Sequence, residues 1–204
     1  MLSRQFLFVH LRATDGRGWQ GLQDTLPGAL SGWPGVSVYG SFMGLFGLSN
    51  QDLFLVLSSA HTVALLRELQ ARLPKHVQVI DSLLMLPTVR PKDHAPLHRP
   101  GVYVFRFFET TAGAVDEIAA LSDQAWQFFE KSREYKSEPM GLFRFADLQA
   151  SHGRMLLLTW YDDLNSWERS RNPDPKTTEN FNRRRALTQS ATPYATRLAN
   201  TEPR

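Results

Sequence analysis

The chain has 204 residues, 42% of them hydrophobic, which is enough for one large core or two modest ones. Its formal charge of +3 comes from acids and bases interspersed along the chain, a balance that does not call for nucleic acid. The absence of cysteine excludes disulfides, thiolate metal sites and cysteine nucleophiles, and no apolar run reaches the roughly 18 residues that a membrane span needs.

Met1 to His10 carries one basic residue but no long apolar stretch before a small-residue cleavage site, so a cytoplasmic location is expected. Phe6 to Arg12 reads as a strand, and Trp19, Leu22, Leu26, Ala29 and Leu30 then recur at helical spacing. Two strands, Val36 to Phe46 and Leu53 to Ser58, flank a turn-rich loop from Gly47 to Asp52. A helix from about Thr62 places Val63, Leu66, Leu69 and Leu73 on one stripe and stops at Pro74, and Val77 to Leu86 makes a last strand. Pro87 to Pro100 holds four prolines and two histidines without apolar periodicity and reads as a connector.

The same order returns. Val102 to Glu109 is a strand, and Val115, Ile118, Ser122, Ala125, Trp126 and Phe129 mark a helix with Asp116 and Glu117 in its first turn. A hairpin pairs Met140 to Phe145 with Met155 to Tyr161 around a loop containing Ala150 to Gly153. Asp162 and Asp163 precede the next helix as caps; that helix starts near Asn165, is interrupted at Asn172-Pro-Asp-Pro175 and resumes near Thr178, ahead of a short strand at Tyr194 to Leu198. Met43-Gly-Leu-Phe46 also returns, 97 residues further on, as Met140-Gly-Leu-Phe143. Two βαββαβ modules are therefore expected, residues 1–88 and 101–204, joined by 89–100. Each such unit leaves one sheet face bare, and two copies in one chain can cover each other. The expected fold class is α+β, with two tandem ferredoxin-like modules packing their antiparallel sheets into one α/β barrel, helices outside. A monomeric barrel or a homodimer would satisfy that arrangement.

Strand alternation proposes the site residues. Opposite the aliphatic row Leu7, Val9 and Leu11 stand Phe6, Phe8, His10 and Arg12. If that row faces an interior, His10 and Arg12 sit among aromatics, where a few polar groups orient a ligand; otherwise His10 is a hydrogen-bonded core histidine and Arg12 emerges at a rim. Arg106, flanked by Val104 and Phe108, needs an anionic partner, supplied by Glu109, Asp147 or a bound carboxylate or enolate. Gly44 and Gly141 read as matched strand positions marking a bulge or a close ligand approach. Trp160 can stack on an aromatic ligand or fill core, with Tyr161 on the opposite side. Arg183-Arg184-Arg185, with Arg169, Arg171 and Lys176 near, could receive a phosphate or carboxylate, although such clusters usually lie on solvated helix faces.

No metal site is expected, because His94 and His98 lie in the proline-rich connector, while His61, His76 and His152 lie near turns. Cofactors are expected to be none; haem would have His10 as its axial ligand. No Gly-x-Ser-x-Gly elbow is present, which argues against a serine hydrolase.

The strand Tyr103-Val-Phe-Arg-Phe-Phe108 with Thr110-Thr-Ala-Gly113, the stretch Thr159-Trp-Tyr-Asp-Asp-Leu-Asn-Ser-Trp-Glu-Arg-Ser-Arg171, and Arg184-Arg-Ala-Leu-Thr188 together resemble the NIPSNAP family of the dimeric α/β-barrel superfamily. The likeness covers roughly residues 101 to 199. The family's strand commonly carries a glutamate two positions before its arginine, where this chain has Val104, and its Pro-Gly turn stands here as Ala112-Gly113. The resemblance implies a barrel around a small-molecule cavity, in a superfamily whose members include cofactor-free oxygenases, isomerases and haem binders. One expectation is accordingly a small-molecule binder acting as an oxygenase, isomerase or cyclase on a hydrophobic substrate, with His10 as general base and Arg106 or Arg12 stabilising a developing anion. The other is a non-catalytic ligand-binding or protein-interaction module with its interior filled by Phe6, Phe8, Phe42, Phe46 and Phe108.

Overall fold

The computed structural model describes residues 5–61, 64–147 and 152–199, with the side chain of Lys176 outside the description. Thr62 and Val63, expected at a helix start, and Ala150 and Ser151, expected in a hairpin loop, lie outside the described residues. Eight strands are hydrogen-bonded in the order β1-β3-β2-β8-β5-β7-β6-β4, and the pairing of β1 with β4 closes the series. The fold is α+β, as the tandem modules imply.

The chain divides into two compact units whose boundaries differ from those the sequence suggests. Unit 1 holds residues 1–86, 93–100 and 196–204; unit 2 holds 87–92 and 101–195. The expected connector is the reason. Pro87 to Arg90 continues a strand, because Thr88 Oγ1 donates to the Leu142 carbonyl (2.7 Å) and Arg90 to the Pro139 carbonyl (3.0 Å). The two sharing strands are β4 (Val77–Arg90), which starts in unit 1 and ends in unit 2, and β8 (Thr188–Leu198), which does the reverse.

In unit 1, β1 (Gln5–Ala13), β2 (Val36–Phe46), β3 (Asp52–Ser59) and β4 form the sheet, with α1 (Gly18–Leu30) and α2 (Leu65–Arg72) between them in sequence. Leu7, Val9 and Leu11 face those helices, as their aliphatic row predicts, and pack with Leu22 and Leu26 of α1 and Leu65 and Leu69 of α2 in a dry cluster. The opposite row is aromatic: Phe6 meets Tyr39 edge-on at 5.3 Å, and Phe8 meets Phe54 at 4.8 Å.

In unit 2, β5 (Val102–Thr111), β6 (Ser137–Phe145), β7 (His152–Tyr161) and β8 carry α3 (Val115–Phe129), α4 (Leu164–Arg169) and α5 (Pro175–Ala186). The Asp163 carboxylate caps α4, accepting from Ser166 N at 2.7 Å, as expected from its place. Helix α5 begins at Pro175 rather than near Thr178, since proline lacks only an N–H that the first turn leaves unused. The last strand is longer than expected, starting at Thr188 because Thr110 Oγ1 and the Leu187 carbonyl (2.5 Å) tie its start to β5.

A bulge fixes the correspondence between the units. In β2 the register breaks between Val38, opposite Leu57, and Gly40, opposite Val56. In β6 it breaks between Pro139, opposite Thr159, and Gly141, opposite Leu158. Leu57 pairs with Leu7 and Thr159 with Val104, so Leu7, Val9 and Leu11 correspond to Val104, Arg106 and Phe108. The glycine equivalent to Gly141 is thus Gly40, not Gly44. Each stands under the ring of the phenylalanine two residues on, Phe42 and Phe143, so the repeat with structural meaning is Gly-x-Phe and the Met-Gly-Leu-Phe match is four positions out of step.

Candidate functional site

Unit 2 contains a cavity of about 320 Å³ between its sheet and its helices. The sheet supplies the floor through Val104, Arg106 and Phe108 of β5 and Leu157, Thr159 and Tyr161 of β7. Trp126 and Phe129 of α3 form one wall, and Phe181, Arg184 and Arg185 of α5 form another. The α4–α5 break adds Ser170, Arg171 and Pro173. Alternation puts Arg106 with Val104 and Phe108 on the helix side of β5, in the place that Val9 occupies in unit 1.

Among the described residues, four guanidiniums line this space, and no aspartate or glutamate does. Their depths differ. Arg184 is 6% exposed, Arg106 is half-buried, and Arg171 and Arg185 are exposed at the mouth. Arg184 Nη1 donates to Ser122 Oγ at 3.2 Å, and its charge lies between the rings of Phe181 (4.6 Å) and Phe108 (5.4 Å). Burial, and then the neighbouring Arg106, pull its pKa down to about 9. Arg106 shifts in the same direction, through burial first and then Arg171 and Arg185. Neither Glu109 nor Asp147 is its partner: Glu109 pairs with Arg154 at 3.2 Å, and only Tyr161 among the described residues pulls Arg106 the other way. Tyr161 is 6% exposed, and burial raises its phenol although Ser170 and the guanidiniums of Arg106, Arg171 and Arg184 oppose the shift.

The other expected site residues lie elsewhere. Asp52, 2% exposed, accepts two bonds from Arg12, at 2.6 and 2.9 Å. His10 Nε2 lies 3.0 Å from the same carboxylate, off the line of a good hydrogen bond, and its ring meets Phe54 edge-on at 5.1 Å. Burial pushes Asp52 up, but Arg12 and His10 outweigh it and hold the carboxyl below its ordinary value. His10 and Arg12 are thus joined to each other through Asp52 within unit 1, and Arg106 belongs to another constellation. Phe8 is core against Phe54; Phe108 lines the cavity beneath Arg184. Trp160 packs against Gly101 on the face of β7 opposite Tyr161, so the tyrosine, not the tryptophan, reaches the cavity. Gly44 abuts Leu48, and Gly141 abuts Phe143. Of the phenylalanines expected to plug an interior, Phe6, Phe8, Phe42 and Phe108 are buried, whereas Phe46 is 64% exposed.

Arg184, Tyr161 and Ser122 were not separately legible as site residues, because a polar helix face hides which arginine turns inward. The signal was the spacing of Phe181 and Arg184 on one helical stripe. The cavity lining does not fit an imidazole-ligated haem, since it contains no histidine, and His10 packs against Phe54. Among the described residues no group of three or more His, Cys, Asp or Glu is placed to hold a metal.

No family model matches this chain, and no curated protein matches it. Solved structures do. An anthrone oxidase-like protein superposes with a TM-score of 0.65 at 13% identity over 96% of this chain and 91% of its own. A variant of chlorite dismutase from Candidatus Nitrospira defluvii gives 0.64 at 12% identity over 98% and 92%. A candidate monooxygenase from Lactobacillus acidophilus gives 0.58 at 9% identity over 95% and 93%. At these identities the likeness extends to the ferredoxin-like fold alone. No helix is long and apolar enough to cross a membrane.

Proposed function

We propose that this chain binds a small molecule with an acidic group and an apolar body in the cavity of unit 2. The observation that carries the reading is the set of four arginines, Arg106, Arg171, Arg184 and Arg185, lining one space without a lining carboxylate. An unpaired buried cation is costly, and an anionic occupant removes that cost while the rings of Trp126, Phe129 and Phe181 cover its body. Compared with unit 1, the sheet positions facing the helices include exchanges of Val9 for Arg106, Leu57 for Thr159 and Ser59 for Tyr161. The copy that keeps apolar side chains at the first two positions is filled by its core; the copy that changed them is hollow.

An enzymatic reading of the same cavity is favoured by Tyr161. Its buried phenol among guanidiniums can donate a proton or a hydrogen bond to an oxyanion formed on a bound substrate, with Arg106 stabilising the charge. Neighbours named as a monooxygenase and an anthrone oxidase-like protein support an oxygenase-type reaction in this reading. The NIPSNAP-like pattern supports a narrower family placement, and its segments Tyr103–Phe108, Thr159–Arg171 and Arg184–Thr188 supply cavity residues.

The test uses 2-naphthoate and its uncharged analogue 2-naphthamide in titration calorimetry. The carboxylate binds and the amide binds at least about tenfold more weakly, as expected when a charge-assisted bond is lost. Arg106→Val, which restores the residue of unit 1, removes the preference. Equal binding of the two probes, or an unchanged preference in the variant, rejects the reading.

A further inference from the structure

The depth of the four guanidiniums says more than their number. Arg184 and Arg106 form an inner pair: the first is 6% exposed and the second half-buried, and the charge of Arg106 lowers the affinity of Arg184 for its proton. Arg171 and Arg185 form an outer pair, exposed at the mouth, one on the α4–α5 break and one on the last turn of α5. Both outer charges act on Arg106 as repulsions. Apolar side chains, Val104, Leu157, Phe129 and Phe181, line the space with these two pairs. A single carboxylate at the inner pair leaves the outer pair without an anionic partner among the described residues of the lining.

Building on the reading of the cavity as an acid-binding site, we propose that its occupant is doubly acidic, with one anionic group at Arg106 and Arg184, an apolar body along the aromatic wall, and a second anionic group at Arg171 and Arg185. The outer arginines are positioned for that role by their surroundings. Arg171 stacks over Trp167 at 5.8 Å, which holds its guanidinium by a ring instead of a carboxylate, and Arg185 follows directly on the anchored Arg184. Neighbouring arginines outside the lining are engaged otherwise: Arg183 reaches Glu117 at 3.5 Å, and Arg169 donates to the Glu134 carbonyl at 3.2 Å. The chain therefore has two kinds of arginine on adjacent turns, those outside the lining that reach a carboxylate or a carbonyl, and those of the lining that reach neither among the described residues.

The experiment compares 2-naphthoate with naphthalene-2,6-dicarboxylate at fixed ionic strength of about 0.15 M, where general attraction to a positive surface is screened beyond roughly 8 Å. In the unaltered protein the dicarboxylate binds about tenfold tighter than the monocarboxylate. In Arg171→Gln/Arg185→Gln that advantage falls to below about threefold. Arg169→Gln/Arg183→Gln removes the same formal charge outside the cavity and retains the advantage. Equal affinity for the two probes in the unaltered protein overturns the two-anion proposal and leaves the acid-binding reading standing. An advantage that survives the loss of Arg171 and Arg185, or that vanishes equally in the control variant, overturns it too. Absence of binding by either probe is the distinct failure of the acid-binding reading itself.

Discussion

Arg184 is a cation held away from water by two rings and one hydroxyl, with a second cation beside it. Its folded-state pKa of about 9 lies below the ordinary arginine value, so at neutral pH both folded and unfolded chains carry the proton and the native state bears the cost of burying it. As pH rises through about 9 the native side chain releases its proton before the unfolded one, the unfolded state then binds more protons, and stability contributed by this group rises with pH. Tyr161 acts in the opposite direction from about pH 10 upward, because its raised pKa keeps the native phenol protonated after the unfolded one has ionised. Urea denaturation of the unliganded protein and of Arg184→Met between pH 8 and 10 isolates the effect. The native chain gains stability relative to the variant across that window, and saturating 2-naphthoate abolishes the gain; parallel curves without ligand count against an unpaired Arg184.

At the scale of elements, strands and helices were readable because alternation and helical spacing are local: the row Leu7, Val9, Leu11 and the stripe Ile118, Ser122, Ala125, Trp126, Phe129 went where their periods send them. What alternation leaves open is which of two rows meets the helices, and for β5 that depends on pairing with β7, a contact between residues about 50 apart that no local pattern reports. The same limit explains the misplaced repeat. Met43-Gly-Leu-Phe46 and Met140-Gly-Leu-Phe143 match in letters, but the bulges set the register and select Gly40 and Gly141, where a methyl group would strike Phe42 or Phe143. Gly141→Ala is therefore expected to destabilise by about 1 to 3 kcal/mol in chemical denaturation through overpacking. Gly113→Ala, with no atom near its added methyl, stays within about 0.5 kcal/mol, and a similar loss at both positions would disconnect the cost from Phe143.

Over the whole molecule, the two copies of the duplicated unit have diverged at their helix-facing positions. Val9 is fully buried in an aliphatic cluster, and its counterpart Arg106 borders a cavity. Exchanging them is expected to have opposite signs. Arg106→Val raises the unliganded melting temperature by removing an unpaired half-buried charge, a gain in stability obtained at the expense of binding. Val9→Arg places a charge without a partner in a filled core and is expected to cost more than about 3 kcal/mol, or to prevent folding. Thermal unfolding of the two variants beside the parent decides this, and a lowered melting temperature for Arg106→Val would contradict the assignment of Arg106 to a site built for an anion.

The strands that begin in one unit and end in the other have a consequence for how such a chain can be divided. Leu198 lies against Gly40, and Ala199 joins the core cluster of the first unit, although both come from the far end of the sequence. Thr88 and Arg90, from the first half, are in turn bonded to the carbonyls of Leu142 and Pro139 in the second. A cut near residue 100 therefore yields no self-sufficient halves: each fragment carries off a piece of its sibling's sheet and leaves its own behind. With each sheet completed by a strand end from the other half of the sequence, the two copies are free to diverge in chemistry but cannot be separated by one cut in the chain.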